Sequence, residues 1–166
     1  MDKALKRIRP ESVDIALAKA EHYRALNQPE EAESICRDVL DVDAEKQNAW
    51  KVLGLALTDR FASGHAGLLE EALAAFERLH DDYERTYHVG VAWERAAKAH
   101  LERNEAHSAV AGFEHALDAY EAAEKMRPDF PDPVLRWNRC IRLLRSHPAL
   151  RTAMRVSREA AGHLGD

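Results

Sequence analysis

The sequence predicts an all-α protein, an α-solenoid of antiparallel helical hairpins, and three observations carry that expectation. Alanine (29 residues) and leucine (18) dominate, while Val, Ile and Thr together number only 16, so straight-chain helix formers outnumber the residues that favour pleated strands. The six prolines punctuate helical patterns without interrupting them: Pro10, Pro29 and Pro148 open such patterns, and Pro128, Pro131 and Pro133 cluster in one connector. A tryptophan followed by small residues recurs at Trp50, Trp93 and Trp137. The length, 166 residues, suits one domain. With 46% hydrophobic and 32% charged residues the chain does not read as a disordered tail, and it holds no apolar run of about eighteen residues that would span a membrane.

Apolar residues spaced three and four apart predict eight helices, at 11–26, 29–42, 46–61, 67–82, 86–103, 105–126, 132–146 and 148–163. Asn27-Gln-Pro-Glu-Glu31 shows the logic of a start: a polar cap, proline in the first turn, then two carboxylates against the positive end of the helix dipole. Loops this short make sequential helices antiparallel neighbours. The first nine residues are basic but are followed by no apolar segment or small-residue cleavage site. They do not read as a secretory signal, so the expected location is cytoplasmic.

Trp50-Lys-Val-Leu53-Gly54-Leu-Ala-Leu57, followed by Ala72-x3-Phe76, resembles the tetratricopeptide repeat (TPR) pattern W-x2-L-G-x2-Y…A-x3-F. Gly54 then permits a close helix crossing, with Ala72 the small residue facing it. Placing Ala16 in the tryptophan position gives a 34-residue step to Trp50 and aligns Ala20, Tyr23, Ala32, Cys36 and Val39. A third copy carries Trp93, Ala96, Ala97, Ala109, Phe113 and Ala116, and a degenerate fourth begins at Trp137. The steps of 43 and 44 residues between the tryptophans exceed the family's usual 34. An insertion around Ser63–Gly67 and a longer second helix ending near Met126 absorb the excess. The expected organisation is a single TPR-like domain with repeats at 12–44, 46–82, 86–126 and 132–163, the last helix capping the final hairpin.

Resemblance to this family implies that the first helix of each hairpin lines a concave groove for a protein or peptide ligand. The residue after the tryptophan position and those four, seven and eight beyond it would face inward. These are Leu17, Glu21, Arg24 and Ala25; Lys51, Leu55, Thr58 and Asp59; Glu94, Lys98, Leu101 and Glu102; and Asn138, Arg142 and Arg145. Chaperone-binding members of the family grip a C-terminal carboxylate from positions held here by Leu17, Glu21, Val52, Val91 and Arg95, of which only the last matches. Such tails are therefore not expected to bind.

Catalytic signatures are missing from the sequence. Cys36 and Cys140 lack CxxC spacing and read as core residues. Glu77-x-x-His80 has di-iron spacing but no second copy, and His100, His107 and His115 lack the i, i+4 pairing of a zinc helix. The expectation is a non-enzyme without cofactor or metal. Net charge is −5, yet residues 134–166 hold seven Arg against Glu159 and Asp166. That basic end, Arg136 to Arg158, is the one feature that would suit nucleic acid or another polyanion, without the interleaved aromatics or fold signature that would favour it. Leu150, Met154 and Leu164 are candidates for an apolar end that pairs two copies.

Overall fold

Turn chemistry decides where this chain folds back. In the computed structural model, which describes residues 3–162, Asn27 and Asn104 adopt φ of 58° and 63°. The N–H of Asn27 donates to the Arg24 carbonyl (3.0 Å) and that of Gln28 to Tyr23 (2.9 Å); the N–H of Asn104 donates to Leu101 (3.0 Å) and that of Glu105 to His100 (2.9 Å). Both are Schellman ends, in which a left-handed residue lets the last carbonyls of a helix find donors. The two asparagines stand at the same offset from Ala16 and Trp93, so the hairpin turn itself repeats. Alanine at either position is expected to destabilise by about 1 kcal/mol, because it lacks the polar side chain with which asparagine offsets part of the left-handed cost, and glycine is not. Urea unfolding of the four variants measures the difference.

The described residues form eight α-helices: α1 Val13–Ala25, α2 Pro29–Val42, α3 Gln47–Asp59, α4 Leu68–Glu77, α5 Asp82–Glu102, α6 Ala106–Met126, α7 Asp132–Ser146 and α8 Pro148–Gly162. Single 3-10 turns cover Pro10–Ser12 and Phe61–Ser63, and there is no strand among the described residues. The predicted helix at 67–82 stops at Glu77, and its successor begins at Asp82 rather than 86. Gln47 explains the break. Its side-chain amide donates to the Arg78 carbonyl (3.2 Å) and its side-chain oxygen accepts from the His80 N–H (2.7 Å), so a residue of α3 satisfies backbone groups just past α4 that apolar spacing cannot register.

Contacts fall into two units, one through Asp81 and one from Asp82. In the first, α2 packs on α1 and α3, α4 packs on α3, and α1 also lies beside α3. Ala20, Ala32, Cys36, Val39, Ala56, Ala72 and Phe76 are fully buried there. The Phe76 ring lies directly over Gly54, where an added Cβ would stand 2.4 Å from a ring carbon. Gly54 is thus the floor of an aromatic slot, which is how α3 and α4 approach closely.

In the second unit α6 packs on α5, α7 and α8. Gly112 faces Ala97, and Gly90 faces the Tyr120 ring, where a Cβ would come within 2.7 Å. The predicted self-pairing surface changes here. Leu150 is fully buried, because α8 packs on α6 as well as α7; Met154 is half-buried, and Leu164 lies outside the described residues. The tryptophans are not core residues. Trp50 and Trp93 are half-buried and Trp137 is 38% exposed; alanines, leucines and phenylalanines fill the interior. Trp50 is instead held at its rim, donating through Nε1 to the Ala44 carbonyl (2.8 Å) under the Arg78 guanidinium.

Candidate partner-binding faces

In the first unit, α1 and α3 run side by side and are stitched by polar side chains. Arg24 Nε donates to Asp59 Oδ2 (2.6 Å), Asn48 Nδ2 to Glu21 Oε1 (3.0 Å), and Lys46 Nζ to Asp14 Oδ1 (2.6 Å). These bonds bring Glu21 and Arg24 to the seam with α3, whose Lys51 and Leu55 are half-exposed. Two expected face residues are corrected. Leu17 is 5% exposed, since it follows the same apolar spacing as Val13 and Ala20 and joins the core. Thr58 is also buried, its hydroxyl donating back to the Leu55 carbonyl (2.7 Å), which lets a small polar side chain sit in an apolar layer.

The second unit holds the stronger chemistry. Glu94, expected on the open face, has no exposed surface. A carboxylate is tolerated in an interior only when charge partners and donors surround it, and four groups do so here. Lys98 Nζ approaches to 2.5 Å from one turn along α5, Tyr120 Oη on α6 donates at 2.6 Å, Arg136 Nη1 on α7 donates at 3.0 Å, and Arg139 Nη2 completes the set. Burial by itself raises the carboxyl's pKa. The hydrogen bonds from Lys98 and Tyr120, with the charges of Lys98 and Arg136, outweigh it and hold the group down to about 2. Glu94 is therefore ionised at neutral pH and ties α5, α6 and α7 together.

Around this node lies an aromatic shelf. Arg136 Nε donates to Tyr87 Oη (2.8 Å), Tyr83 stacks on Tyr87 (5.9 Å between centroids) and on Phe130 (5.4 Å), and Arg127 covers the Tyr83 ring at 4.8 Å. Of the other expected residues in this unit, Lys98, Leu101 and Asn138 are partly exposed and Arg142 is exposed. Arg136, Arg139 and Tyr120 were not expected. The arginine excess of α7 was visible in the sequence, but its target was not, because Glu94 and Tyr120 stand 26 residues apart on different helices.

Four of the histidines are locally engaged. His88 Nδ1 lies 2.7 Å from the Glu84 carbonyl, His80 pairs with Glu45 at 3.3 Å, His100 meets Glu105, and His115 stacks on Trp93 (4.4 Å). Among the described residues no three His, Cys, Asp or Glu side chains gather in a way that could hold a metal ion. Cys36 and Cys140 are free and buried. Burial first, then the negative charge of Glu21 in one case and Glu94 in the other, pushes each thiol up to about 12, so neither is a thiolate at neutral pH. No described helix is long and apolar enough to cross a membrane.

The described residues are all-helical, and within each unit successive helices pack as neighbours. No protein-family model matches it, and no curated protein matches it either.

Proposed function

We propose that this chain is a non-enzymatic, TPR-like interaction module, an adaptor or assembly factor of the cytoplasm, that holds a segment of a partner protein along the faces of its first helices. The observation that carries the reading is the seam in each unit. The α1–α3 seam is tied by Arg24 and Asp59 and the α5–α7 seam by Glu94 with Arg136 and Arg139, and both present half-exposed Leu and Lys side chains beside fixed charges. Such a surface offers apolar anchors for affinity and placed charges for register.

Capture of partners by the native protein from cell extract, repeated with Lys51→Glu in one unit and Arg142→Glu in the other, tests it. Lys98→Glu is a poor choice because it would set a second carboxylate against buried Glu94. The expected result is a partner retained by the native protein and lost by both variants. Identical captured proteins for all three would end the reading.

A further inference from the structure

Building on the interaction-module reading, we propose that the α5–α7 face of the second unit takes an acidic protein segment, seating a carboxylate of that segment on Arg139 and Arg142 and an apolar neighbour on Leu135. The argument begins with charge. Lys98, Arg136 and Arg139 converge on the single carboxylate of Glu94, which neutralises one of the three and leaves the cluster with two uncompensated positive charges. Arg139 spends one Nη on Glu94 while its side chain remains 53% exposed. A guanidinium carries five N–H donors in a planar fork, so most of its capacity still faces outward, where a carboxylate is its natural match.

Position supplies the second step. Leu135, Arg139 and Arg142 are spaced i, i+4 and i+7 on α7, which puts them on one helix face over about 10 Å. Leu135 is 61% exposed and Arg142 is exposed. Lys98 and Leu101 repeat the pairing of cation and apolar side chain on α5, both partly exposed. The acids nearest the cluster in sequence, Glu102 one turn past Lys98 and Asp132 one turn before Arg136, are both exposed and lie toward helix ends. Apolar anchor beside unfilled guanidinium describes a ligand that alternates acidic and apolar side chains.

A nucleic-acid backbone is the competing anion, and the layout disfavours it. Phosphate binding draws its affinity from cations spread along a track; here three of them share one carboxylate.

Fluorescence anisotropy with a labelled, end-blocked peptide of about ten alternating Glu and Leu residues tests the proposal, against the same peptide with Gln for Glu and a single-stranded oligonucleotide of equal net charge. The acidic peptide is expected to bind, and the Gln peptide to bind at least about tenfold more weakly, the loss of one charge-assisted contact. Arg142→Glu and Leu135→Ser, both at exposed positions and checked for unchanged helix content, are each expected to weaken binding, and Lys19→Glu, at an exposed position of α1 outside both faces, is not. Equal binding of the Gln peptide, an unchanged affinity in Arg142→Glu, or an oligonucleotide that displaces the peptide would each overturn the assignment. Failure of the acidic peptide while Lys51→Glu and Arg142→Glu still lose a captured partner removes only the acidic specificity. Failure of both experiments removes the interaction module as well.

Discussion

Glu94→Leu is expected to destabilise the second unit by about 3 kcal/mol, the lower end of the range for removing one partner from a buried ion cluster. The lower end applies because Arg136, Arg139 and Lys98 are 25%, 53% and 37% exposed and can turn to water once the carboxylate is gone. Tyr120, fully buried, cannot, and its hydroxyl is left without its acceptor. Urea unfolding followed by hydrogen exchange localises the loss, which should fall on α5, α6 and α7 and spare α1 to α4. An unchanged midpoint would show that the cluster is stabilised no better than an apolar replacement.

The same group sets an acid limit. Its folded pKa, about 2, lies below the ordinary 4.5. The carboxylate's contribution is therefore complete above pH 4.5 and is lost as pH falls through that value toward 2. Acid unfolding of the wild type should show this loss, and Glu94→Gln should flatten it.

The second large effect belongs to the first unit. Phe76→Ala is expected to cost about 3–5 kcal/mol, from lost aromatic burial and the void left above Gly54. Gly54→Ala approaches the same contact from the other side: its Cβ would stand 2.4 Å from the ring, and overpacking of this kind costs about 1–3 kcal/mol. The two positions share one contact, so they should not add. Gly54→Ala combined with Phe76→Leu is expected to recover part of the single-variant loss, and thermal denaturation of the set reads the coupling directly. Additive losses would mean that ring and glycine do not constrain each other.

How far the sequence could be read follows from what each feature depends on. Helices α2, α7 and the starts of α6 and α8 were legible to within a residue or so, because prolines and apolar spacing act locally, although Asn27, read as the cap of α2, closes α1 instead. The end of α4 was not, since the amide of Gln47 reaches it from another helix. Gly54 was recognised as a site of close approach from the repeat pattern, although its partner proved to be the Phe76 ring.

The face residues divide in the same way. Glu21, Arg24, Lys51 and Leu55, which the resemblance selects, are exposed or half-exposed on α1 and α3. Glu94, selected in the same way, is not. Its surroundings, Trp93-Glu94-Arg95-Ala-Ala, read as a solvent-facing charge; only the long α6 brings Tyr120 over it, and only α7 brings two arginines. Leu17 failed for the opposite reason, an apolar residue taken as an exposed anchor when its neighbours in the core were already full-period apolar positions.

The distribution of sulfur has a practical use. Cys36 lies sealed inside the first unit and Cys140 inside the second, each essentially without solvent contact. A timed pulse of alkylating reagent, followed by digestion and weighing of the two peptides, would clock the transient opening of each half separately, in the unaltered protein and with no introduced label.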